Sequence, residues 1–106
     1  MEFIVQNNTG ENISIVMREL RYHFYSENKP GSELSFIRYL GQSAYPRFHI
    51  YLREDKKINE VFFNIHLDQK RPVYSGAPAH SAEYNGEVLE KEVERIREFF
   101  KEKNDE

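Results

Sequence analysis

A chain of 106 residues with a net charge of -3 has room for one hydrophobic core and one domain, 1–106, and its lack of cysteine excludes disulfides and thiolate metal centres. No apolar run approaches the ~20 residues of a membrane span, and the start, Met1 to Asn8, lacks the basic and apolar regions of an export signal, so the sequence predicts a soluble cytoplasmic protein. The core must then rest on aliphatic residues and on eight Phe and seven Tyr.

In chain order, Phe3 to Val5 is a short apolar run that fits either an edge strand or a segment over the first helix, and Asn7-Asn8-Thr9-Gly10 closes it as a turn. From the N-cap candidate Asn12, the residues Ile13, Val16, Met17, Leu20 and Phe24 fall at helical spacing and predict an amphipathic helix to about Tyr25. Asn28-Lys29-Pro30-Gly31-Ser32 then breaks the chain.

Three strands are expected next. Ser35 to Leu40 forms one whose facing is ambiguous, because Phe36 and Ile37 point to opposite sides. Arg47 to Arg53 alternates strictly, with Phe48, Ile50 and Leu52 on one face and Arg47, His49, Tyr51 and Arg53 on the other. Ile58 to Asp68 does the same, with Val61, Phe63, Ile65 and Leu67 opposite Glu60, Phe62, Asn64, His66 and Asp68. A loop of Glu54 to Lys57 that pairs Arg53 with Ile58 sets Ile50 against Val61 and Phe48 against Phe63, so all large aliphatics share one side. On this reading His49 lies on a solvated face. From Asn85-Gly86 a second helix runs on Val88, Leu89, Val93, Ile96, Phe99 and Phe100 to about Lys103, and residues 104–106 fray.

The fold class this predicts is α+β: a small three-stranded antiparallel sheet with an N-terminal and a C-terminal helix packed on one face, in the order α-β-β-β-α, with Phe3 to Val5 as an optional further strand.

The functional signal concentrates between His66 and Tyr84. The loop 69–84 is long for a compact domain, where such loops are usually functional or disordered, and Pro72, Val73 and Pro78 suit one pinned to the body. His66 and Asp68, two apart on a strand, share a face; with His80 and Glu83 they supply imidazoles and carboxylates that suit Zn, Fe, Mn or Ni. His66-x-Asp68 with a later His80 resembles the facial triad of non-haem iron oxygenases, but the spacing is short and the strands too few for their double sheet. Lys70, Arg71, Ser75, His80 and Ser81 form an alternative anion-binding set, without the glycines of a phosphate loop, and Tyr74 in the same loop is a further binding candidate. Ser75 or Ser81 with a histidine and Asp68 supplies the residue types of a catalytic triad, with no spacing that specifies one.

The order helix, three strands, helix resembles double-stranded RNA-binding domains in outline, and Arg38 to Arg71 carries seven bases against four acids. Those domains place lysines at the start of the last helix, whereas Gly86 to Glu92 is acidic here and repels phosphate, which argues against nucleic acid. Tyr51 and Phe62, on the face away from the core beside Arg47 and Arg53, have the composition of a partner surface. The function expected from sequence is a non-catalytic binding or assembly module, acting through that face and the 66–84 segment on a protein partner or a second copy. A metal-dependent protein centred on His66, Asp68 and His80 is the alternative from a different class.

Overall fold

The computed structural model describes residues 1–29, 33–69 and 81–106, with side chains throughout these except at 28, 29 and 81–85. The elements are β1 (Glu2–Gln6), α1 (Ile13–Glu19), β2 (His23–Lys29), β3 (Glu33–Tyr39), β4 (Arg47–Asp55), β5 (Glu60–Asp68) and α2 (Ser81–Asn104). All five strands form one antiparallel sheet in the order β1-β5-β4-β3-β2. The expected three-stranded sheet in an α-β-β-β-α order is therefore wrong by two strands.

Both added strands have local causes. The N-terminal run pairs with β5, Phe3 opposite Phe63 and Val5 opposite Val61, which buries the two apolar side chains and leaves Glu2, Ile4 and Gln6 on the other face. The first helix stops at Glu19, five residues before its apolar stripe ends at Phe24. Leu20 caps it and Arg21 adopts a left-handed φ of 77°, so the chain turns and His23 to Lys29 becomes the far edge strand. Pairing with β3 outweighs the helical spacing of Phe24 because His23, Phe24 and Tyr25 suit a strand better than a helix.

The route follows from this pairing. The chain begins at the β1 edge, α1 carries it to the β2 edge, a four-strand meander returns it, and α2 closes over β1 and β5. At the β1 edge, Arg97 Nη1 donates to Ile4 O at 3.5 Å and Asn104 Nδ2 donates to Gln6 O at 3.0 Å. Side chains of α2 thereby occupy outward carbonyls that would otherwise invite another strand.

The β4–β5 register also differs from expectation. Asp55 pairs with Glu60, Arg53 with Phe62, Ile50 with Ile65 and Phe48 with Leu67. The turn lies two residues later, at 56–59, where Asn59 takes φ 55°, a conformation asparagine tolerates well. Each strand is displaced by an even number of residues, so every side chain keeps its expected face.

The core lies between the sheet and the two helices: Phe3, Val5, Phe36, Phe48, Ile50, Leu52, Val61, Phe63 and Ile65 from the strands meet Ile13, Val16, Met17, Leu20, Val93, Ile96 and Phe100. Inside it sits a charged junction. Glu92, 4% exposed, accepts from Tyr22 Oη at 2.6 Å, from Arg95 Nε at 2.8 Å and Nη2 at 3.0 Å, and from Arg38 Nη1 at 3.4 Å. Arg95 Nη2 also donates to Leu20 O at 2.8 Å, satisfying a carbonyl at the end of α1. Burial, then the Glu92 charge and hydrogen bond, push the Tyr22 hydroxyl pKa up, so it remains a donor.

At the other end of α1, Asn12 Oδ1 accepts from Ser14 N at 2.8 Å, the expected N-cap. A helix of seven residues has little stability of its own, so it depends on such a cap and on its buried face. Asn12→Ala is expected to cost about 1 kcal/mol in urea denaturation. A loss within error of zero would show that burial of Ile13 and Val16 alone holds the helix.

Candidate functional site

Neither helix covers the second face of the sheet. Alternation along each strand sends Glu60, Phe62, Asn64, His66 and Asp68 of β5, Arg47, His49, Tyr51 and Arg53 of β4, Ser35, Ile37 and Tyr39 of β3, and His23 and Tyr25 of β2 to that side. A register shift between Phe24 and Ser26 adds a residue to β2, which brings both Tyr25 and Ser26 onto this face, and the Ser26 and Ser35 hydroxyls meet at 2.8 Å.

The centre of the face is a polar cluster on Asp68. One carboxylate oxygen, Oδ2, lies 3.3 Å from Arg47 Nε, which donates to it, and 3.1 Å from His49 Nδ1. In the tautomer whose Nδ1–H donates to Asp68, the imidazole lone pair is on Nε2. That Nε2 is buried and has no hydrogen-bond partner among the described residues, and His49 as a whole is only 8% exposed. The expectation of a solvated His49 is thus corrected. Its ring stacks on Tyr51 at 4.5 Å between centroids and receives Tyr25 edge-on at 5.3 Å, and Tyr25 arrives on β2, the strand that helical spacing conceals.

Around this centre the aromatics open outward. The Arg47 guanidinium lies over Tyr45 at 4.6 Å and over Tyr25 at 5.2 Å, two cation–π contacts that fix its plane. Tyr25, Tyr39 and Tyr45 are 50%, 43% and 37% exposed, so each ring presents about half its surface to solvent. His23 meets Tyr39 at 6.2 Å, and His66 meets Tyr51 edge-on at 6.0 Å. Desolvation, then the Met1 ammonium, hold the His66 pKa below its ordinary value, against an opposing pull from Asp68.

Of the residues singled out in the sequence, Tyr51, Phe62, His66 and Asp68 share this face. Tyr51 and Phe62 are half-buried, and Phe62 lies under the Arg53 guanidinium at 5.6 Å. Lys70, Arg71, Tyr74, Ser75 and His80 lie outside the described residues, and Ser81 and Glu83 fall in the first turn of α2 with undescribed side chains. Among the described residues, no three of His, Cys, Asp and Glu are placed to hold a metal ion together. Sequence reasoning missed Tyr25, Tyr39, Tyr45 and the Arg47-Asp68-His49 cluster.

Two open clefts lie elsewhere, around the β4–β5 turn and the start of α1. One, of about 860 Å³, is lined by Ile13, Leu34, Leu52, Arg53, Lys57 and Phe62 among others; its neighbour, of about 570 Å³, is mostly polar and includes Asn7, Glu11, Glu54 and Asp55. Neither reaches Arg47, His49 or Asp68. The larger has cations and carboxylates mixed at its rim.

Comparison with protein-family models, curated proteins and solved structures finds no match for this chain. No described helix is long and apolar enough to cross a membrane.

Proposed function

We propose that this chain is a non-catalytic binding or assembly module whose partner, a protein, docks on the sheet face that carries Arg47, His49 and the tyrosines. The observation behind this reading is the half-exposure of Tyr25, Tyr39 and Tyr45 around a guanidinium held between two of them, on a face without helix cover. Tyrosine and arginine are the residue types that concentrate binding energy in protein interfaces: their rings and planar cation bury much area and lose little conformational freedom. Rings already half ordered by their neighbours forfeit still less on binding. Nucleic acid fits worse. The charge of Arg47 is met by Asp68, and the chain is acidic overall, so phosphate would find little uncompensated positive charge.

The test compares sites within one molecule. A photo-crosslinking residue in place of Tyr39 is expected to give protein adducts in cells, and the same residue in place of Lys91, on the exposed side of α2, is expected to give few. Tyr25→Ser with Tyr45→Ser should reduce the Tyr39-site adducts several-fold while costing under about 1 kcal/mol per exposed ring in denaturation. Equal adduct yields at positions 39 and 91 would remove the basis for the reading.

A further inference from the structure

We propose that His49 Nε2 and His66 together hold one divalent transition-metal ion, with Asp68 orienting His49 from behind. The proposal is independent of the partner-binding reading. It starts from one nitrogen: buried polar atoms are almost always hydrogen-bonded, and His49 Nε2 has no partner among the described residues. The other ring nitrogen lies 3.1 Å from a carboxylate oxygen. An imidazole that gives one N–H to a carboxylate and keeps its opposite lone pair free is the arrangement metal-bound histidines adopt, because the carboxylate fixes the tautomer and raises the basicity of the ligating nitrogen.

His66 supplies the second nitrogen. It is paired directly with His49 across β4 and β5, on the same face. Side chains opposite one another across antiparallel strands have Cβ atoms roughly 4.5–5.5 Å apart, a span two imidazoles can close around one ion at ~2.1 Å per bond. His66 is exposed and can turn toward His49. Asp68 is not a ligand in this arrangement, because Oδ2 already serves Arg47 and His49. Two imidazoles, with water or a partner's group in the remaining positions, favour Cu²⁺, Ni²⁺ and Zn²⁺ over Mg²⁺ and Ca²⁺.

Zn²⁺ is the probe, titrated calorimetrically into full-length, untagged, metal-free protein, with Mg²⁺ as control and ¹⁵N spectra of labelled histidine in parallel. The expected result is one saturable site for Zn²⁺, none for Mg²⁺, and a shift of His49 Nε2 and a ring nitrogen of His66 at one equivalent. His49→Phe and His66→Gln should each abolish that site, and His23→Gln should leave it unchanged. Asp68→Asn should weaken it about 10- to 100-fold. In the same variant the His49 proton should redistribute between its ring nitrogens, a change that loss of a structural contact elsewhere would not produce. If His49→Phe does not fold, His66→Gln decides between the outcomes, since its side chain is exposed. Absence of a saturable Zn²⁺ site, retention of the site in His66→Gln, or its loss in His23→Gln would each overturn the proposal.

Discussion

Phe63→Ala is expected to lower stability by about 3 to 5 kcal/mol, a large part of the roughly 5–15 kcal/mol that holds a domain of this size together. Phe63 is buried where three elements meet. Its ring stacks on Phe3 of β1 at 4.8 Å with the planes 5° apart, and it meets Phe100 of α2 edge-on at 6.0 Å. Truncation leaves a cavity that neither neighbour fills without breaking the contact it makes elsewhere: Phe3 is held on the edge strand, and Phe100 meets Phe99 edge-on at 6.4 Å. Its sequence neighbour is the control. Phe62 points to the opposite face, half-buried under Arg53, and Phe62→Ala should cost only about 1 kcal/mol. Urea denaturation of the pair reads the facing of β5 directly, and equal losses would mean that both sides of this strand are core.

That facing was legible in the sequence because alternation of period two is a local signal. Register was not. The pairing of Arg53 with Ile58, two residues out on each strand, would have set Asp68 opposite Ser43, and only the observed pairing brings Asp68 to Arg47. The cluster on Asp68 was therefore invisible even though each member had its correct face. The second loss came at Arg21, a residue type that gives no warning of a left-handed turn. With the helix carried through to Tyr25, the β2 strand disappeared, and with it the ring that shields His49. In β2 itself the alternation is broken by the register shift that puts Tyr25 and Ser26 on one side, so a search for period two finds only a short match. Asn59, by contrast, was a usable signal for the true turn, since asparagine readily takes positive φ. The short N-terminal strand could not be decided locally, because what fixes it is β5, about sixty residues away in sequence.

Glu92→Ala is the other substitution with a large expected effect, about 2 to 4 kcal/mol. The carboxylate joins four elements through side chains: Tyr22 before β2, Arg38 on β3, and Arg95 of its own helix, which in turn reaches Leu20 O at the end of α1. Removing it leaves the Tyr22 hydroxyl without its partner at a site 2% exposed. It also leaves two guanidiniums facing each other. Both retain 30–37% of their side-chain exposure and rehydrate in part, which keeps the cost below that of stranding a fully buried charge. Tyr22→Phe deletes one donor and leaves the carboxylate satisfied by both arginines, so it should cost about 1 kcal/mol. The double variant Glu92→Ala with Tyr22→Phe separates the two contributions: no orphaned hydroxyl remains, so its loss should fall short of the sum of the single losses by about 1 kcal/mol or more. Strict additivity in chemical denaturation would show that the hydroxyl contributes nothing through Glu92, and that the helix α2 is held on the sheet by its apolar stripe and the two arginines alone.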